Sequence, residues 1–127
     1  MLELLPIPIG NVVGVKVSGK VNHQDMERVL VEVKRKLKDH ESLGVYIELD
    51  HFKGFTLRGL LKEMRLLSCF LGHFTRTALV SDTQWYRRAA QIITHWTPNI
   101  EIEHFTPIQH DEALIWVSER DVGAFSG

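Results

Sequence analysis

The sequence predicts a single α/β domain built on a mostly parallel sheet. Apolar residues recur at strand or helix spacing through nearly all of the 127 residues, and the two kinds of spacing alternate along the chain. Such alternation favours parallel strands covered by helices. The chain has no internal repeat, low-complexity segment or Gly/Ser linker, so residues 1–127 are predicted to form one domain. We expect a mixed sheet of four or five strands with about four helices.

The first part of the chain predicts two strands and a helix. Residues 11–17 read as a strand with alternate valines on one face, and residues 2–5 are expected to add an antiparallel edge strand. Asn22 is a good N-cap for the helix that follows. Its apolar residues recur at helical spacing, namely Met26, Val29, Leu30, Val33 and Leu37. Cations at 34–38 complement the helix dipole, which favours a structural role for this basic run over contact with nucleic acid.

Three more strands are predicted, at residues 45–49, 77–80 and 100–105. The last one alternates strictly between apolar and polar residues. We therefore expect one of its faces to be buried and Glu101 and Glu103 to point outward.

Three more helices are predicted around these strands. The first runs from Thr56 to about residue 71, and the second from residue 81 or 82 to about residue 95. The third follows Thr106, where an N-cap, Pro107 and Gln109 together have the spacing of a capping box.

Composition limits the classes of protein that the chain could belong to. The single cysteine, Cys69, has no internal partner, which favours a reducing compartment. No stretch approaches the roughly 20 apolar residues that a membrane span needs, and the N-terminus lacks the features of a signal peptide. We expect a cytoplasmic location.

The helix predicted from Thr56 carries more apolar residues than docking on a sheet requires. One stripe, from Leu57 to Leu71, suffices for that purpose, and Leu66, Cys69 and Phe70 are extra. Cations lie on or near the same segment, namely Lys53, Arg58, Lys62, Arg65 and Arg76. The formal net charge is +5 over residues 53–88 and −5 over residues 89–127. An apolar surface edged with cations suits a membrane surface or an anionic amphiphile. Packing in the core, a dimer interface and a soluble protein partner remain the alternatives.

The residues that usually carry chemistry form no recognisable site. The seven histidines show no metal-ligand spacing, although Glu101, Glu103 and His104 could lie near one another. Cys69 has no adjacent base in the sequence, and no glycine-rich phosphate loop occurs. We therefore predict no catalytic residue, no metal and no cofactor. A nucleic-acid partner is not expected either, because no second basic surface accompanies Arg87 and Arg88.

Several short motifs, in this order and spacing, resemble the SpoIIAA-like family, a branch of the STAS (sulphate transporter and anti-sigma-factor antagonist) superfamily. The resemblance covers nearly the entire chain. The matching pieces are Asn11-Val12-Val13-Gly14-Val15 with Ser18-Gly19-Lys20-Val21; Glu48-Leu49-Asp50 with Phe52-Lys53-Gly54-Phe55-Thr56; Val80-Ser81-Asp82 with Trp85; Phe105; and Glu112-Ala113 with Trp116. The resemblance implies a STAS-like single domain with helices on the faces of a mixed sheet.

The resemblance also bears on function. STAS antagonists are switched by phosphorylation of a serine in an Asp-Ser-Ser-Gly turn, whereas the corresponding stretch here, Asp50-His51-Phe52-Lys53-Gly54, contains no serine. Members of this branch are also similar in shape to CRAL-TRIO lipid-binding domains, in which a mobile helix gates an apolar cavity. That similarity bears on the predicted helix 56–72.

The predicted function is therefore non-enzymatic binding of a lipid-like or other apolar anionic ligand, or peripheral association with a membrane, through helix 56–72. The alternative is a protein-interaction or regulatory module, or a homodimer, that uses the same helix. The predicted contact residues are Lys53, Phe55, Arg58, Leu61, Lys62, Arg65, Leu66, Cys69 and Phe70.

Overall fold

A computed structural model describes residues 2–18, 22–50, 72–81 and 100–119 of the chain. Five strands lie in these ranges, namely β1 (Leu2–Leu5), β2 (Val12–Ser18), β3 (Leu43–Asp50), β4 (Phe74–Val80) and β5 (Glu101–Phe105). Two α-helices accompany them, α1 (His23–Leu37) and α2 (His110–Ser118), and a 3-10 turn at Pro107–Gln109 leads into α2.

The strands form one sheet in the order β1-β2-β3-β4-β5. β1 is antiparallel to β2, and every other neighbouring pair is parallel. The predicted mixed, mostly parallel sheet and its antiparallel edge strand are confirmed. β3 and β4 begin earlier than predicted, at Leu43 and Phe74, because backbone pairing includes residues without a strand pattern such as Gly44 and its partner Arg76.

α1 begins where the sequence predicts, and a capping box holds its first turn. The Asn22 side chain accepts a hydrogen bond from the Asp25 backbone N–H at 2.8 Å, and the Asp25 carboxylate accepts one from the Asn22 N–H at 3.3 Å. Two amide groups that would lack partners at the helix start are thereby satisfied.

Two hydrophobic cores lie on opposite faces of the sheet. The core between the sheet and α1 consists almost entirely of aliphatic side chains from both elements: Leu2, Val13, Val15, Val17, Met26, Val29, Val33 and Leu43. The face toward α2 includes smaller and aromatic side chains: Val12, Tyr46, Ala78, Val80, Phe105, Ala113 and Val117. The predicted common face of Val13, Val15 and Val17 is confirmed.

The last helix begins later than its sequence signal predicts. The Gln109 side chain accepts hydrogen bonds from the Thr106 backbone N–H at 3.0 Å and from its hydroxyl at 3.2 Å. These bonds start the 3-10 turn, and the α-helix follows from His110. Ala113 and Val117, four residues apart, then face the sheet and are fully buried.

The two helices predicted between β3 and β4 and between β4 and β5 lie outside the described residues. Among the residues described, no helix is both long and apolar enough to cross a membrane.

Candidate functional site

All the contact residues predicted from the sequence, from Lys53 to Phe70, lie outside the described residues. The structure does give the points between which that segment runs. β3 ends at Asp50, and the described chain resumes at Gly72, just before β4. The segment therefore starts from the end of the central strand.

The ends of the parallel strands meet at one edge of the sheet, which we call the carboxyl edge. Ser18 at the end of β2 is the register partner of Asp50 at the end of β3. The Ser81 N–H, just after β4, donates to the Phe105 carbonyl at the end of β5 over 3.1 Å. In open α/β sheets, ligands bind outside the carboxyl ends of the strands.

Polar side chains approach the carboxyl edge on the α2 face of the two central strands. Lys16 and Glu48 are register partners on β2 and β3, and both are half-buried. The Tyr46 hydroxyl, on a residue only 2% exposed, donates to a Glu48 carboxylate oxygen at 2.7 Å. Burial, together with this hydrogen bond, raises the pKa of Tyr46 well above its ordinary value. Tyr46 thus stays protonated and orients the carboxylate.

This polar group was not part of the predicted site, although the sequence contains a signal for it. Lys16 and Ser18, and likewise Glu48 and Asp50, are polar residues at period two in otherwise apolar strands. In central strands with helices on both sides, Lys16 and Glu48 lie on an inner face and need polar partners there. The charged side chains of Lys16 and Glu48 can meet a polar or charged group of a ligand here.

The three residues considered together as metal ligands do not share one face of β5. Glu103 is the register partner of Ala78, whereas His104 is the partner of Leu79, so their side chains point to opposite faces. One ring nitrogen of His104, Nε2, lies 2.6 Å from the Ser81 carbonyl oxygen. Glu101 and Glu103 are exposed, as predicted. No group of three or more potential metal ligands is found among the residues the structure describes.

Arg76, which the sequence grouped with the cations near the predicted helix, is engaged on the α2 face. Its guanidinium lies 3.4 Å from the Glu101 carboxylate and 3.3 Å from that of Glu119. It also donates to the Trp116 carbonyl at 2.9 Å and lies 4.9 Å from the centre of the indole ring. The side chain is only 19% exposed. Arg76 therefore joins β4, β5 and the end of α2.

A groove of about 280 Å³ lies where β1 ends, between the residues that follow it and the last turns of α1. Its walls combine apolar residues such as Leu5 and Ile7 with Glu32 and Lys36. The Lys36 ammonium donates to the Val12 carbonyl, and burial lowers its pKa. Arg35 pairs with Glu32, which lowers the pKa of that carboxyl. These contacts fit the structural role predicted for the basic run.

The sequence model of the SpoIIAA-like family matches residues 12–118. The chain belongs to the SpoIIAA-like family. Strands β2 to β5 and the carboxyl edge fall within the matched range, whereas β1 precedes it.

A solved structure supports this SpoIIAA-like fold. The chain is similar to an uncharacterized protein of the DUF3478 family from Shewanella loihica PV-4, whose crystal structure at 2.25 Å resolution has a SpoIIAA-like fold. The two share 19% sequence identity, the alignment covers 92% of each chain, and the TM-score is 0.64. At this identity the likeness concerns the fold. No curated protein matches the chain.

Family membership gives the end of β3 a particular interest. The resemblance to STAS antagonists implies that their phosphorylated turn corresponds to the stretch that starts at Asp50, and this stretch has no serine. The absence of a phosphorylation switch at this turn stays a prediction. The similarity to CRAL-TRIO domains stays a prediction.

Proposed function

We propose that this SpoIIAA-like protein is a non-enzymatic binding module whose ligand contacts the carboxyl edge and the residues that follow β3. The observation that carries the proposal is the register of the parallel strands. Because Ser18 lies beside Asp50 and Phe105 beside Ser81, the connections after the strands start from one edge. The predicted contact residues belong to the connection that begins at the central strand.

The polar residues near the carboxyl edge support the same assignment. A charged pair on an inner sheet face costs free energy unless its groups have polar partners. The Tyr46 hydroxyl supplies one for Glu48, at 2.7 Å. We infer that Lys16 and Glu48, which are register partners, serve recognition, since aliphatic residues at these positions would fill a sheet interior at lower cost.

The ligand we propose is apolar and anionic, either a lipid-like molecule or the surface of an anionic membrane. Apolar residues at 61, 66 and 70 would contact its acyl part, and Lys53, Arg58 and Lys62 its anionic group. The two contributions to the binding free energy add, because apolar burial and charge attraction act on the same ligand. The protein would then be cytoplasmic and reach the membrane peripherally.

Family membership favours a second candidate, a protein-interaction or regulatory module. STAS antagonists act by docking on a regulatory partner, and the SpoIIAA-like match spans residues 12–118. In this case the same predicted helix would meet a partner protein or a second copy of the chain. The missing serine in the stretch from Asp50 would make that docking independent of phosphorylation at this turn.

Native mass spectrometry, with solvent extraction of bound molecules, and sedimentation with liposomes separate the candidates. We expect a co-purifying amphiphile, or binding to anionic but not zwitterionic vesicles at low salt. The double variant Leu66→Glu with Phe70→Glu should abolish either signal. Val31→Glu is a control for an added glutamate, because it replaces an apolar residue that is 66% exposed on α1.

Other outcomes decide against the lipid ligand. A bare dimer that the double variant dissociates would assign Leu66 and Phe70 to an interface between copies. A stoichiometric protein partner that the double variant releases would support the second candidate. No amphiphile and no vesicle binding at low salt would contradict the lipid proposal.

A further inference from the structure

The 3-10 turn and the α2 helix that follows it each carry one large, exposed apolar residue. Ile108, in the 3-10 turn, is 92% exposed, and Ile115 is 62% exposed. The helix is held by its other side, where Ala113 and Val117 are fully buried. Isoleucine is not a strong helix former, so neither core packing nor helix propensity explains these two positions.

The two isoleucines share one side of the helix with acidic residues. Ile108 and Ile115 are seven positions apart, about two turns or 10 Å. Asp111 and Glu112 lie between them and are exposed. We call these four residues the outer face of α2. The positions are spaced as neighbours on one helical surface.

The surroundings of the outer face are also acidic. Residues 100–119 include five acidic side chains and no lysine or arginine. Arg76 lies beside two of them, Glu101 and Glu119, and most of its side chain is buried. Glu103, Asp111 and Glu112 stay exposed. Asp111 also lies 3.2 Å from His110, so among the described residues the surface around the isoleucines carries more acidic than basic side chains.

We propose that the outer face of α2 binds a cationic amphipathic helix of a partner protein. Two apolar anchors two turns apart match a helix that presents its own apolar residues at i, i+3, i+4 and i+7. The acidic residues around them favour lysine and arginine on that helix. An anionic membrane is repelled by this charge. A second copy docking through the same face would set acids against acids. The site is separate from the carboxyl edge.

The test uses the full chain and two fluorescently labelled helical peptides with identical leucine positions. One peptide has lysines beside the leucines and the other has glutamates. We expect the lysine peptide alone to bind, and more weakly as salt is raised, because salt screens the exposed charges. Ile108→Lys with Ile115→Lys should weaken binding by about tenfold or more. Both residues are exposed, and thermal melts followed by circular dichroism would check that the double variant folds.

Matched controls test whether the peptide binds at the outer face of α2. Val31→Lys adds a cation at an exposed apolar residue of α1 and should change peptide affinity by less than about twofold. Leu66→Glu with Phe70→Glu should leave peptide binding unchanged, which separates this proposal from the one at the carboxyl edge. The proposal for the outer face of α2 would be overturned if the lysine peptide did not bind. It would also be overturned if Ile108→Lys with Ile115→Lys bound this peptide as tightly as the wild-type protein does. Sedimentation showing a dimer that this double variant dissociates would also overturn it, since the face would then bind a second copy.

Discussion

The two faces of the sheet differ in what their side chains do. Toward α1, the central strands present aliphatic residues such as Val15 and Ile47. Toward α2, the same strands present Lys16, Tyr46 and Glu48. The α1 face stabilises the domain by apolar burial, whereas the α2 face combines apolar burial with polar groups that lie near the carboxyl edge. In a strand that alternates its side chains, one segment can serve both purposes.

The largest effect is expected on the α1 face. Leu43 is fully buried there. Leu43→Ala should lower the free energy of unfolding by about 2–5 kcal/mol, because it removes buried methyl groups and leaves a cavity. Urea denaturation measures this change. An effect below about 1 kcal/mol would show that the α1 face is less tightly packed than the structure indicates. Val31→Ala, at an exposed residue of α1, is the control.

A smaller effect is expected where α2 approaches the sheet most closely. A Cβ at Gly44 would overlap the Val117 carbonyl oxygen and lie 2.9 Å from Val117 Cγ2. Gly44→Ala should therefore push α2 outward and cost about 1–3 kcal/mol in urea denaturation. Gly14→Ala is the comparison, since its Cβ would meet the Ile7 and Leu5 side chains. The Ile7 side chain has rotatable bonds, so we expect a lower cost there. Equal costs would contradict the rigid contact between β3 and α2.

The polar group on the α2 face predicts a pH dependence. The pKa of Tyr46 is raised in the folded protein, so its contribution to stability is present below about pH 10 and is lost as the pH rises through the folded pKa. Tyr46→Phe should cost about 1–2 kcal/mol at pH 7, because Glu48 loses its donor.

A comparison of the wild-type protein with Tyr46→Phe at high pH tests whether the raised pKa of Tyr46 causes this pH dependence. Above about pH 10 the wild-type protein should lose stability faster than Tyr46→Phe, which has no group to ionise there. Chemical denaturation at a series of pH values measures both proteins. Parallel curves for the two would show that burial does not shift the pKa of Tyr46.

The smallest effect is expected at the start of α1. Asn22→Ala removes the side-chain acceptor of the capping box and should cost about 1 kcal/mol. Asn22→Ser keeps a capping oxygen and should recover most of this loss. Both changes are measured by thermal denaturation. If Asn22→Ala is as stable as wild type, packing of Met26 and Val29 alone fixes the helix start.

Much of the fold could be predicted because local signals agree with it. The cap at Asn22, the alternating valines of β2 and the antiparallel edge strand each depend on nearby residues, and all three are confirmed. The predicted capping box of Thr106 and Gln109 is also confirmed, but it opens a 3-10 turn, and the later start of the α-helix at His110 was not predicted. The predicted contact residues from Lys53 to Phe70 stay a prediction.

The sequence by itself determined the fold class, the family and which residues alternate along each strand. Periodicity and capping are properties of neighbouring residues, so the amino-acid order contains them. Only the tertiary structure decided that Lys16 lies beside Glu48, that Tyr46 donates to Glu48 and that Arg76 joins Glu101 to Glu119. It also left Ile108 and Ile115 outside the core. These relations join residues distant in the chain or depend on which face is covered, so strand register and helix packing fix them.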